Sequence, residues 1–193
     1  MSADDPPPFE DCFRADEDEP DLPYLVFSQR LGDKKGILFL HGALHLYLDG
    51  GELRKHSWIR TGQRLTELIQ EGLEKGQYPL FVAEGSPEKK LDQIQGNGYL
   101  WYASEKLRNI ESPLVLFGHR LGSSDGHILN LIAKNRKLPE LYVSLHGKPD
   151  SPANRTIREA AMKMVDARAK MSSNPKPLEV FFYDSDSAEV WDS

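Results

Sequence analysis

Cysteine is nearly absent, with Cys12 alone in 193 residues. No disulfide can close within such a chain, and a zinc site built on cysteines is excluded. Cations are the minority: 24 Lys and Arg stand against 30 Asp and Glu, a net charge of -6. A general nucleic-acid binder needs the reverse balance, because its excess Lys and Arg displace counterions from phosphates. A single nucleotide or dinucleotide is not excluded, since backbone N–H groups at a helix start can hold a few phosphates. No apolar run reaches the roughly 18 to 20 residues that span a bilayer. The opening MSADDPPPFEDCF has no apolar signal core. The expected compartment is therefore the cytoplasm, with neither membrane nor nucleic acid as partner.

What is present suits one globular domain: 39% hydrophobic and 28% charged residues over a single-domain length. Residues 1–23 are rich in Asp, Glu and Pro and read as a loosely attached acidic arm. Residues 24–193 read as the α/β domain. ILFLHGALHLYL, from Ile37, looks like a buried strand turning at His41-Gly42. Thr61 to Gly76 sets Leu65, Leu68, Ile69 and Leu73 on one helical face. Further strands are expected at Pro79–Gly85, Pro113–His119, Glu140–Gly147 and Leu178–Asp184, with a last short turn holding Trp191. Helices start at Ser86-Pro87-Glu88, near Tyr99, at Ser123-Ser124-Asp125 and at Ser151-Pro152. Strands alternating with helices predict right-handed βαβ units and a mainly parallel sheet. Ligands of such sheets bind beyond the carboxyl ends of the strands. Four turns converge there in this reading: His41-Gly42, Glu84-Gly85-Ser86, Gly118-His119 and His146-Gly147.

Two of these turns are candidates for chemistry. His41, followed by Gly42, suits a general base, since imidazole titrates near neutrality; the other reading is a core histidine bonded to a carbonyl. His41 and His45 mimic a metal pair, but on a strand they stand about 13 Å apart, so no metal is expected. In GHRLGSSD, Gly118 and Gly122 allow close backbone approach, and the Ser123 and Ser124 amides can face a phosphate or ribose oxygen ahead of Asp125. The competing reading is an ordinary strand-to-helix loop. FLHGA with FGHRLG also mimics an α/β-hydrolase. Arg120, however, occupies the nucleophile position, and no His follows His146.

LFLHGALHLY, YPLFVAEGSPEKKLDQIQGNGYL, LVLFGHRLGSSDGHIL, LYVSLHG and FFYDSDSAEVW, in that order, resemble a bacterial family of a domain of unknown function. That family is similar to the sirtuin-like NAD-binding domains. The resemblance covers about Asp11 to Asp192. It implies a Rossmann-like three-layer fold with NAD as ligand or substrate, His41 as the catalytic histidine, and Gly42, Gly118, His119, Arg120, Gly122, Ser123, Ser124 and Asp125 around the cofactor. Such domains often hydrolyse NAD to ADP-ribose and nicotinamide, in several cases in phage defence. There are three departures. The zinc-ribbon cysteines are absent. Arg120 stands where the family usually has a small residue. The upstream strands, with their glycine-rich phosphate loop and T-x-N-Y-D-like motif, are missing: before His41 there is no Asn and only Gly32 and Gly36. The expectation is an incomplete sirtuin-like domain with weak or no NAD turnover, marginal stability, and a tendency to pair with itself or with a separately encoded N-terminal half. The alternatives are a non-catalytic protein-interaction module of the same fold, or a hydrolase-like protein lacking its serine.

Overall fold

The structure is a computed structural model describing residues 9–30, 35–171 and 176–190. The expected turn at Trp191 lies outside the described residues. The chain is mixed α/β and divides into two compact units: Met1–Glu84 with Gln93–Ala103, and Gly85–Asp92 with Ser104–Ser193. In chain order the strands are β1 (Phe9–Glu10), β2 (Phe13–Arg14), β3 (Tyr24–Phe27), β4 (Lys35–Gly36), β5 (Gly42–Asp49), β6 (Glu52–His56), β7 (Pro79–Phe81), β8 (Leu114–Leu116), β9 (Glu140–Leu145) and β10 (Glu179–Asp184). The α-helices are α1 (Trp58–Thr61), α2 (Leu65–Glu74), α3 (Pro87–Gln95), α4 (Gly98–Arg108), α5 (Gly126–Lys134) and α6 (Pro152–Ala169).

The first unit is built on an antiparallel sheet of order β2-β3-β6-β5-β7, with a short parallel bridge between β1 and β4 beside it. This corrects the expected parallel pairing of the strands at His41 and Pro79. The expected turn at His41-Gly42 is present, with the Gly42 amide donating to the Phe39 carbonyl at 3.0 Å, but it opens β5 instead of ending a strand, and the chain reverses at Gly50-Gly51. Two left-handed glycines, φ 59° and 85°, form a two-residue hairpin, and such a loop joins only antiparallel strands. Gly42 has its own reason to be glycine. Its φ is 77°, and a Cβ there would sit 2.0 Å from the Leu80 carbonyl oxygen of β7. One core gathers Phe13, Leu46, Leu53, Val82, Ile94, Tyr99 and Leu100. Phe13 and Phe27 meet Tyr99 with ring centroids 5.4 and 5.1 Å apart, and the Tyr99 hydroxyl accepts from the Phe39 amide at 2.9 Å. Inside the segment read as an acidic arm, Cys12 and Phe13 are buried. On α2 Leu68 is buried, Leu65 and Ile69 are half-buried, and Leu73 is exposed.

The second unit follows the expected pattern. Strands β10-β9-β8 are all parallel, linked as β8-α5-β9-α6-β10. A 3-10 turn, Ser123–Asp125, leads into α5, and Ser151 caps α6 by accepting from the Asn154 amide at 3.3 Å. The strands advance in one direction, so right-handed crossovers put α5 and α6 on one face, where they pack together over Leu141, Val143 and Leu145. Ala161 and Met164 of α6 are buried. The other face, along the row Val115–Tyr142–Phe181, leaves Val115 59% and Phe181 41% exposed. Among the described residues no helix is long and apolar enough to cross a membrane.

Candidate functional site

The loop between β8 and α5 holds most of the residues expected around a cofactor. The Gly118 amide donates to Ser144 Oγ of β9 at 2.9 Å, tying the loop to the sheet. His119 Nδ1 accepts from the Leu121 amide at 2.9 Å. In the neutral imidazole the proton then sits on Nε2, which faces Asp125 Oδ2 at 3.5 Å. The other carboxylate oxygen of Asp125 lies 3.8 Å from the ammonium of Lys90, a buried lysine on α3. Lys90, Asp125 and His119 thus form one polar cluster that staples the loop from both sides. Leu121 is held at φ 50°, a conformation costing a non-glycine residue about 1–3 kcal/mol, and its side chain is buried. Arg120, Ser123 and Ser124 are exposed, and Gly122 is half-buried. Leu121, Gly122 and Ser123 also wall a cleft of about 430 Å³ that runs between α5 and α6 past Leu129, Ala160 and Met164.

The neighbouring carboxyl ends add Ser185 and Asp186 to the expected turn at His146-Gly147. His146, past β9, places Nδ1 3.1 Å from Ser185 Oγ and 3.3 Å from Asp186 Oδ1, beyond β10. Both partners meet the same nitrogen, so this trio is not a Ser-His-Asp relay, in which the imidazole bridges its partners with two different nitrogens. The only sequence signal was His146-Gly147 at a strand end; Ser185 and Asp186 lie in a polar stretch that looks like an ordinary tail.

His41 and Gly42 belong to the first unit, while Gly118 to Asp125 belong to the second. His41 is half-buried and precedes β5; its carbonyl accepts from the Val82 amide at 2.8 Å. His45, on β5, meets the Phe39 ring edge-on at 5.1 Å, and burial lowers its pKa. Among the described residues no group of His, Cys, Asp and Glu is arranged to hold a metal ion.

Fold and loops define a mixed α/β protein with a parallel βαβαβ unit and a glycine-bearing loop at its carboxyl edge. The chain belongs to the family described as a domain of unknown function (DUF4917), which matches residues 2–191. No curated protein and no solved structure matches it.

Proposed function

We propose that the second unit is a Rossmann-like nucleotide-binding module that takes NAD, or its ADP-ribose portion, beyond the carboxyl ends of β8, β9 and β10. The observation behind this reading is the uninterrupted β8-α5-β9-α6-β10 order, because open parallel sheets bind ligands at that edge. In this reading Arg120 grips a phosphate with its fork of donors, and Ser123 and Ser124 meet phosphate or ribose oxygens. His119 is a positioning residue, since the Leu121 amide already occupies its Nδ1. NAD cleavage with His41 as base is what the resemblance to sirtuin-like domains adds. Turnover is put at weak or none, because the glycine-rich phosphate loop and T-x-N-Y-D-like motif of those domains do not occur in this sequence.

The test is a thermal melt of the full chain with ADP-ribose, beside an assay of nicotinamide release from NAD. ADP-ribose should raise the Tm, with a stabilisation of about 2.7 kcal/mol at a hundredfold excess over Kd. Arg120→Ser should weaken binding roughly tenfold, the loss of one charge-assisted contact. Tighter binding would show instead that Arg120 obstructs the crevice. No Tm shift at millimolar ADP-ribose would end the nucleotide reading. Brisk nicotinamide release that vanishes in His41→Ala would replace weak turnover with an active hydrolase. The exposed row of Val115 and Phe181, with Phe117 beside it, favours a second reading, a protein-interaction module. Concentration-dependent association abolished by Phe181→Lys, with no response to ADP-ribose, would select it.

A further inference from the structure

The first unit contains a cleft of about 270 Å³ where side chains of β3, β5 and β6 face α2 and the segment before it. Its ring-bearing wall is Tyr24, Tyr47 and His56, with Tyr47 stacked on His56 at 4.3 Å. Its polar wall carries two cations and two carboxylates, and these compensate each other. Arg54 Nη1 lies 2.6 Å from Asp49 Oδ2, while its guanidinium covers the Tyr24 ring at 4.2 Å. Lys75 Nζ lies 3.7 Å from Glu71 Oε2. Two amides complete the wall, Gln77 donating to Asp49 at 3.1 Å and Gln63 to Glu71 at 2.9 Å.

The charge state of this cleft selects its ligand. Each lining cation has a lining carboxylate as partner, and Arg54 has a second in Glu52 at 2.8 Å, so an anionic ligand would bring a charge without a counterpart into a partly desolvated space. Tyr47 and His56 are neutral near pH 7, since burial pushes the Tyr47 hydroxyl up to about 12 and the His56 imidazole down from 6.5. Hydrogen-bonding capacity remains in both senses. The amides bond through Nε2, which leaves their Oε1 atoms to accept, and Arg54 uses Nε and Nη1 on carboxylates, which leaves Nη2 to donate. Hydroxyl groups both donate and accept, and the C–H faces of a sugar ring suit tyrosine. We infer that this cleft binds an uncharged, hydroxyl-rich small molecule of the monosaccharide class. It belongs to the first unit alone and is independent of the nucleotide proposal.

The experiment is an NMR titration of the full chain with D-glucose, D-galactose, D-mannose and D-ribose, then with D-glucuronate, D-galacturonate and adenine, all at millimolar concentration. At least one neutral sugar should move the resonances of Tyr47, His56, Gln63 and Gln77, and should bind more tightly than its uronate. Gln63→Leu, at an exposed position on the rim, should weaken that sugar about tenfold, the loss of one hydrogen bond. Glu71→Gln keeps the acceptor for Gln63 but removes the counter-charge of Lys75, so it should turn the preference toward the uronate. The inference fails if no neutral sugar perturbs these residues. It also fails if the wild type prefers a uronate or adenine, if Gln63→Leu binds unchanged, or if Glu71→Gln leaves the neutral-to-uronate ratio where it was.

Discussion

Arg168 shows how a single residue can hide its role. In the sequence it is one cation in the polar stretch DARAK near the end of α6. In the fold it is 1% exposed, and its guanidinium donates to three carbonyls: Ala133 at 3.1 Å, Leu138 at 2.6 Å and Ile132 at 3.0 Å. Two of these carbonyls, Ile132 and Ala133, lie in the last turn of α5, where the Asn135 amide also donates to Ile132 at 3.2 Å, so Arg168 helps to close that helix from its neighbour. Arg168→Met should therefore cost about 2–4 kcal/mol in urea unfolding, because it strands buried acceptors. Arg168→Lys should recover only part of this, since an ammonium cannot span three carbonyls as a planar fork does. A change within about 0.5 kcal/mol of wild type for the Met variant would show that water replaces the guanidinium. Propensity does not reveal such a residue, since its partners lie 30 or more positions away.

At the level of elements, local chemistry was legible where a cap or a proline set the boundary. Ser86-Pro87 and Ser151-Pro152 open α3 and α6 as their residue types predict. Hydrophobicity marks the apolar run from Ile37 as a strand but sets neither its limits nor its partners, and the strand begins at Gly42 and pairs antiparallel. Gly50-Gly51 was the missing signal, a glycine pair between alternating segments. That hairpin yields a graded prediction. Gly51 has φ 85° and open space around an added Cβ, so substitution tests the backbone alone. Gly51→Val should destabilise by about 1–2 kcal/mol, and Gly51→Asn by less, since Asn tolerates the left-handed region. Melts ranking Val equal to Gly would mean that the turn relaxes to another type at no cost.

For the molecule as a whole, two half-buried histidines of the first unit make stability depend on pH. Burial is the main cause that lowers the pKa of both His45 and His56 below 6.5; nearby Lys55 lowers His45 further, and His45 itself lowers His56. The unfolded chain therefore binds protons more readily than the folded one. Their contribution is complete above pH 6.5 and is lost as pH falls through 6.5 toward the lowered folded values. Urea midpoints should be lower at about pH 5.5 than at about pH 7.5, and the double variant His45→Gln, His56→Gln should flatten that difference. An unchanged pH slope in the double variant would assign the effect to other titrating groups, such as the remaining histidines.

The residue pattern by itself determined the α/β class, the starts of α3 and α6, and a parallel βαβ stretch with its glycine-bearing loop at the carboxyl edge, whereas the helix expected from Thr61 begins instead at Leu65, after the short α1. Those features follow from periodicity and capping within a few residues of chain, which any neighbourhood preserves. Only the tertiary structure decided that β5 pairs antiparallel with β6 and β7, because strand partners are chosen by contacts distant in sequence. It likewise decided that His119 turns its Nδ1 to the Leu121 amide and its Nε2 to Asp125. The cleft of Tyr47, Arg54 and His56 exists only once α2 lies opposite the sheet, and no spacing in the chain announces it. Its residues come from separate elements, each ordinary alone, and their chemistry arises from the pairing of charges that folding brings within reach.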